Sequence, residues 1–330
     1  MINDKEFLAF QDSIFKPYFE KYIEFKRGKG EKVTHSTLIR LKALNASLNS
    51  CNSSLDIDRY TVELLLQKKD IEQEATRALR VSDLRQFNAF LKSLGINAYQ
   101  ISNKYMKKVH GAFKPYIFSP EELSKITEVS DHLKPSRRSS NCHKVYPVLV
   151  RILIGTGMRI SEALSLKVKD VDIVNRLLIV YQSKNNVSRY VPMSDSLSEI
   201  TINYMSRLVN RHNPEQHLFV SPYTRTRYSY GAMKYMFKKI FTEAGIRTPK
   251  GRLPRIQDIR HSFCTLSLNR MLSSGMDLYV AVPVLAAYVG HVNLKDTERY
   301  IHLTEHGYDE FMNKQEVLKR LISEVDEDER

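Results

Sequence analysis

The apolar positions of the first hundred residues recur at helical spacing and predict a small bundle. Ile14, Tyr18, Tyr22 and Phe25 fall three or four residues apart, with Lys16, Lys21, Lys26, Arg27 and Lys29 between or just beyond them. Pro17 places the start of the regular helix, because its fixed φ suits a first turn, and Gly28 and Gly30 stop it. Thr34 begins a second helix whose Leu38, Leu41, Leu44 and Leu48 form one stripe. Asn49 to Ser54 reads as a polar turn. A third short helix covers about Arg59 to Lys68. A fourth starts near Ile71, carries Ala75, Leu79, Leu84, Phe87, Phe90 and Leu91, and ends at Gly95.

The pattern then breaks over a segment rich in Lys104, Lys107, Lys108, His110, Gly111, Lys114 and Pro115. This gives a helical unit over residues 1–105, a linker over 106–117 and a second domain over 118–330. The second domain opens on a strong start signal. Ser119 can cap the helix, Pro120 suits its first position and Glu122 completes a reciprocal capping pair, with Phe118 and Leu123 placed as a hydrophobic staple. An apolar helix from about Val145 to Ile154 ends at Gly155 and Gly157, and Arg159 leads into a helix over Ile160 to Leu166. Two β-rich runs, Leu177 to Gln182 and Ser188 to Met193, flank Lys184-Asn185-Asn186 and predict a hairpin. Further helices are expected over Asp195 to Val209, from near Asp258 with Ile259, Phe263 and Leu266 buried, over Asp277 to Tyr288, and over Asp309 to Val325. Leu218 to Ser221 reads as a short strand, and Tyr230, Tyr235, Phe237 and Phe241 as the packing side of a basic segment. The fold class is therefore mainly α with a small antiparallel β-sheet: an N-terminal helical bundle and a C-terminal α+β domain.

Charge changes this picture from a generic two-domain protein to one with a polyanionic partner. The 330 residues carry a net charge of +14, although the segment Glu324 to Glu329 is acidic. Such an excess points to nucleic acid. The cationic faces of the four N-terminal helices suit a DNA clamp, or else are solvated lysines on an ordinary bundle. No apolar run approaches the roughly 20 residues that cross a bilayer, and Met1 to Phe10 lacks the apolar core of a secretory signal, so a cytoplasmic location is expected. The three cysteines, Cys51, Cys142 and Cys264, are widely spaced and read as free thiols without a zinc pattern. Neither a GxxxxGK[ST] loop nor a GxGxxG fingerprint is present, which leaves nucleotide-cofactor chemistry unsupported.

Cutting a phosphodiester requires an in-line nucleophile, cations on the non-bridging oxygens, and an acid for the leaving 5′ oxygen. Metal enzymes supply the charge with carboxylate-held Mg²⁺; this sequence offers no convincing carboxylate cluster. Two arginines can replace the ion, because each planar guanidinium grips two phosphate oxygens. A lysine can act as acid when neighbouring cations lower its pKa from about 10.4. A tyrosine, with an ordinary pKa of about 10, becomes a nucleophile beside positive charge. Arg159, Arg260, His291 and Tyr300, with Lys184 in the hairpin, are the candidates.

These pieces occur in the order of a known family. Gly155-Thr156-Gly157-Met158-Arg159-Ile160-Ser161-Glu162 resembles the first arginine box of the tyrosine recombinases, the phage-integrase family. Lys184 lies in a hairpin followed by Arg189-Tyr190-Val191-Pro192, as that family's lysine does. Asp258-Ile259-Arg260-His261-Ser262-Phe263 resembles the second arginine box, Tyr288-Val289-Gly290-His291 the Leu-Gly-His box, and Asp296-Thr297-Glu298-Arg299-Tyr300-Ile301-His302 the nucleophile segment, nine residues past the histidine. The resemblance covers roughly residues 118 to 305, and the first hundred residues look like the family's core-binding domain.

The resemblance implies a site-specific recombinase or integrase of a mobile element or phage, acting on double-stranded DNA without ATP or metal. Tyr300 would form a 3′-phosphotyrosyl link. Arg159 and Arg260 would clamp the phosphate, Lys184 would protonate the leaving oxygen, His291 would hydrogen-bond the phosphate and Glu162 would orient the site. A homo-oligomer is implied, a dimer per site and a tetramer in the synapse, with accessory DNA-bending proteins and a last helix that packs in a neighbouring protomer or in its own. One position departs from the pattern. The second box usually reads His-x-x-Arg, and here the His position is Gln257, which can donate a hydrogen bond but cannot shuttle a proton. His261 is expected to point elsewhere, as a packed or hydrogen-bonded structural residue. Two alternatives stand beside this reading: a non-cleaving DNA-binding regulator with the same fold, which Gln257 favours, and a type IB topoisomerase-like relaxing enzyme.

Overall fold

The computed structural model describes residues 10–31, 33–51, 54–70, 72–102, 105, 115–137, 139–181, 188–208, 212–291, 293, 295–298 and 300–301. The chain divides into two compact units, Met1–Phe113 and Lys114–Arg330. Most of the expected linker, the hairpin tip with Lys184, and the expected last helix lie outside the described residues.

The first unit contains helices α1 (Lys16–Gly28), α2 (His35–Cys51), α3 (Arg59–Leu66) and α4 (Glu74–Ser93). Local chemistry sets their ends. Proline occupies the first turn of α1, and the Asp58 carboxylate caps α3 by accepting from the Thr61 amide at 2.7 Å. The leucine stripe of α2 is buried throughout, as its spacing predicts. α1 packs on a different stripe from the expected one. Phe15, Phe19, Tyr22 and Ile23 are buried, while Ile14 and Phe25 are 39% and 41% exposed. The reason is aromatic packing: Phe19 stacks on Phe87 of α4 with centroids 3.9 Å apart and also meets Phe10. Phe25 instead tilts against Phe90 with the Lys29 ammonium over its ring. Leu79 likewise faces outward. Fully buried Asn45 binds Ser13 and the Gln11 carbonyl, tying the segment before α1 to α2.

The second unit opens with α5 (Pro120–Asp131), where the expected capping pair is present: the Glu122 amide donates to Ser119 Oγ and the Ser119 amide to Glu122 Oε2. α6 (Cys142–Thr156) is its central apolar helix. After α7 (Ile160–Ser165) and a 3₁₀ turn at Val168–Asp170 come β1 (Val171–Asp172), β2 (Leu177–Val180) and β3 (Arg189–Pro192). They form an antiparallel sheet in the order β1-β2-β3, with Val180 opposite Arg189 as the last pair before the hairpin loop. Then follow α8 (Asp195–Ser206), α9 (Tyr230–Glu243), α10 (Ile256–Ser273), α11 (Leu278–Val289) and the single turn α12 (Lys295–Glu298). The architecture is the expected one, mainly helical with a small antiparallel sheet.

Three local expectations are corrected. Leu218 to Ser221 forms no strand; Val220 makes one isolated bridge to Arg227, and the fully buried Leu218 and Phe219 fill the core instead. The basic segment after it is helix α9, which buries Phe237 and Phe241 and leaves Tyr230 and Tyr235 more than half exposed, because its core face is completed by Met233, Met236 and Ile240. On α10, Phe263 and Leu266 are only half-buried; Cys264, Thr265 and Leu268 take the interior positions.

Gly157 ends α6 in the left-handed region at φ 60°, and a Cβ there would lie 2.2 Å from the Phe263 ring. Gly157→Ala is expected to destabilise the second unit by about 2 kcal/mol or more, from strain and overpacking together. Urea unfolding followed by circular dichroism measures it; an unchanged midpoint would mean that the ring yields without cost.

Candidate active site

The turn after α6 presents the first arginine. Gly157 reverses the chain, so Arg159 becomes the residue before α7. Glu162, one turn on, accepts from the Arg159 amide at 3.0 Å and from its Nη1 at 2.9 Å. The same carboxylate accepts from Arg189 of β3, at 2.8 Å from Nη2 and 3.3 Å from Nη1. Arg189 Nε donates in turn to the Tyr288 carbonyl on α11. Glu162 thus joins helix, sheet and a second helix. Burial pushes its carboxyl upward, but the hydrogen bonds and charge of Arg189, with the hydrogen bonds from Arg159, outweigh burial and hold it below the usual carboxylate range.

Arg260 lies in the first turns of α10 and is 2% exposed. Its Nη1 donates to the Gly157 carbonyl at 2.8 Å and its Nη2 to the Val289 carbonyl at 2.6 Å. Burial, and next the neighbouring charge of Arg159, lower its pKa. The five N–H groups of a guanidinium leave donors beyond those two for an anion. The two arginine boxes, a hundred residues apart in sequence, are thereby brought together.

His291 follows Gly290, which caps α11 in the left-handed region. A Cβ on Gly290 would lie 3.1 Å from Arg189 Nη1. His291 Nδ1 shares a 2.7 Å hydrogen bond with the Thr297 hydroxyl on α12, and its ring lies near-parallel to that of Tyr300, with centroids 6.3 Å apart. Tyr300 is 2% exposed. Its phenol is 3.0 Å from His261 Nδ1, and it lies within the electrostatic reach of Arg260. Gln257 is half-buried, one helical turn before Arg260 and His261. Lys184 falls outside the described residues. A cavity of about 530 Å³ lies on the α7 and β2 side, lined by Arg159, Glu162, Lys167, Lys169 and Tyr181; it adjoins the first arginine box but not Tyr300.

Two residues of this network were not foreseen from sequence. Arg189 stood only as the neighbour of Lys184, although the signal for it was available: an arginine at the start of an otherwise apolar strand. His261 was expected to point away, yet α10 carries both Arg260 and His261 inward, because its first turns are buried on most sides.

The Glu162 carboxylate gives the site an acid limit. A depressed folded-state pKa means that the stabilisation is complete above the ordinary glutamate value of about 4.3 and is lost as pH falls through the folded value. Glu162→Gln should cost about 3 kcal/mol near neutrality, since it leaves two guanidinium groups without their anion. The variant should also lose part of the acid-side dependence of the urea midpoint below about pH 4.3. Parallel acid limbs for the two proteins would contradict this assignment.

The pattern of the phage integrase family matches residues 117–306. The chain is 25% identical over 311 residues to the tyrosine recombinase XerC of Pediococcus pentosaceus, covering 90% of this chain and 95% of the relative. It is 28% identical over 246 residues to XerD of Oceanobacillus iheyensis, covering 73% and 76%. Among solved structures, the XerH site-specific recombinase bound to a palindromic difH substrate aligns with a TM-score of 0.64 at 21% identity, over 84% of this chain and 78% of that one. The Tn1549 transposon integrase in complex with circular intermediate DNA aligns at 0.62 and 20%, over 91% and 99%; at such identities the likeness concerns the fold. Because the family pattern spans more than half of its length, the chain belongs to the phage integrase family, the tyrosine-type site-specific recombinases.

Proposed function

We propose that this recombinase cuts and rejoins duplex DNA through a covalent 3′-phosphotyrosyl link at Tyr300. Arg159 and Arg260 hold the non-bridging oxygens of the scissile phosphate, and Glu162 orients Arg159. His291 donates a hydrogen bond to the phosphate, and Lys184, from the β2–β3 hairpin, protonates the leaving 5′ oxygen. Gln257 contacts substrate without exchanging protons. The phosphodiester energy is kept in the tyrosyl ester, so a second strand's 5′-hydroxyl reverses the attack without ATP, and the arginines take the electrostatic role that a metal ion fills elsewhere.

The observation that carries this reading is the burial of Arg260 between the Gly157 and Val289 carbonyls, within electrostatic reach of both Arg159 and Tyr300. Fixed cations in a dehydrated site stabilise developing phosphorane charge far more than they would in water. The basic N-terminal unit, residues 1–105, would bind duplex DNA together with the catalytic domain, with residues 106–117 as linker. Protomers would pair on each site and assemble as tetramers in the synapse, with accessory DNA-bending proteins as further partners. A cytoplasmic location accords with a DNA substrate; among the described residues no helix is long and apolar enough to cross a membrane.

The test uses a pool of nicked duplexes with a randomised core, in which cleavage releases a short fragment and traps the protein covalently. Denaturant-resistant adducts are expected with the wild-type protein, none with Tyr300→Phe, and roughly a 10²–10³-fold slower yield with Arg260→Gln, by analogy with loss of one transition-state donor. Binding without adduct would leave the regulator reading, and relaxation of supercoils irrespective of sequence would favour the topoisomerase-like one. The affinity itself should fall with salt by about 0.9 log units per log unit of salt for each phosphate neutralised, read from gel-shift titrations.

A further inference from the structure

We infer that His261 is the proton acceptor for Tyr300, replacing the imidazole that Gln257 cannot supply. The inference rests on the phosphotyrosyl reading above and assigns its missing base.

A phenol attacks a phosphate effectively only as its proton leaves, and with an ordinary pKa of about 10 it needs an acceptor. Gln257 has an amide, which neither takes nor gives a proton near neutrality. His291, the other ring beside Tyr300, has its Nδ1 engaged with the Thr297 hydroxyl. His261 Nδ1 is 3.0 Å from the phenolic oxygen, within the reach expected of a general base. Both groups are buried, His261 at 8% and Tyr300 at 2% exposure. With its proton on Nε2, neutral His261 accepts from the phenol at Nδ1, and this is the tautomer that the inference assigns.

The helix explains how the substitution is accommodated. Residues three and four apart share a helical face, so Gln257, Arg260 and His261 lie together on α10, with His261 one turn beyond Gln257. The imidazole is therefore displaced by four residues, about 6 Å along the same face, away from the N-terminus of α10.

The step balances. As the Tyr300 oxygen bonds to phosphorus, its proton passes to His261 Nδ1, and the bond from phosphorus to the 5′ oxygen breaks. That oxygen takes its proton from Lys184. When a 5′-hydroxyl attacks the tyrosyl ester, it returns a proton to Lys184, and the imidazolium reprotonates the departing phenol.

The experiment measures single-turnover adduct formation on nicked duplexes selected by the wild-type protein from the randomised pool. His261→Asn keeps a hydrogen-bonding group near Nδ1 but accepts no proton; it should bind these duplexes as the wild type does and form adduct about 10²-fold or more slowly. Two chemical rescues separate a base from a packing residue. Replacing Tyr300 by the more acidic 3,5-difluorotyrosine should restore most of the rate in the Asn variant. A 5′-bridging phosphorothiolate, whose thiolate leaves without protonation, should not. A wild-type rate in the Asn variant, or a slow rate that fluorination leaves unchanged, overturns the inference. If the Asn variant does not bind, histidine ¹⁵N shifts of the wild-type protein decide: an unprotonated Nδ1 at His261 supports the role and a protonated Nδ1 overturns it. Absence of any wild-type adduct would instead remove the phosphotyrosyl reading, and this inference with it.

Discussion

A buried guanidinium held between two helix C-termini is the constraint on which the catalytic domain depends. Arg260 donates to the carbonyl of Gly157, at the end of α6, and to that of Val289, at the end of α11. Helix C-termini carry partial negative charge and unsatisfied carbonyls, so both ends welcome a cation that would otherwise be costly to bury. Each helix is closed by a glycine in the left-handed region: Gly157 carries the first bonding carbonyl itself, and Gly290 directly follows the second. The two glycine-containing motifs and the second arginine box are thus parts of one contact, although more than a hundred residues separate the first from the other two.

Around that contact the charges are arranged in pairs of unequal exposure. Arg260 is interior and fixed to backbone. Arg159 is more accessible, adjoins the cavity beside α7, and is fixed through Glu162. Glu162 is bonded by Arg189 as well, and Arg189 reaches the Tyr288 carbonyl at the same end of α11 that receives Arg260. The sheet is small, yet it enters the site through this one side chain. Three arginines against one carboxylate leave a net positive centre, which suits an anionic substrate and would be unfavourable in a domain without one.

How far the sequence could be read depended on whether a feature is local. The Ser119 capping pair and the leucine stripe of α2 are set by residues three and four apart, and both are found where their spacing places them. The buried face of α1 was not legible, because two aromatic rows run along the same helix and the choice between them is made by Phe10 and Phe87, which are remote in sequence. Tyr230 and Tyr235 misled for a related reason: methionines supplied the core face of α9, and the tyrosines were free to face outward. At the site, the box arginines could be found from their motifs, since those patterns reflect shared local geometry. Arg189 and His261 could not be given roles, because each acts through a partner about a hundred or about forty residues away in sequence, and no spacing rule encodes such a pairing.

The short helix before Tyr300 has a consequence of its own. A single turn, Lys295–Glu298, is far below the length at which a helix holds itself together. The aromatic ring that follows is therefore moored by side chains: Thr297 on His291, and the phenol on His261. Individual hydrogen bonds of this kind contribute on the order of 1 kcal/mol. The ring is also part of the apolar cluster that includes Cys264, Leu268, Leu285 and Val289, so its position is set by burial as well as by these polar contacts. In this domain the cations are held by backbone carbonyls and a carboxylate, and the phenol by the buried side chains that surround its ring.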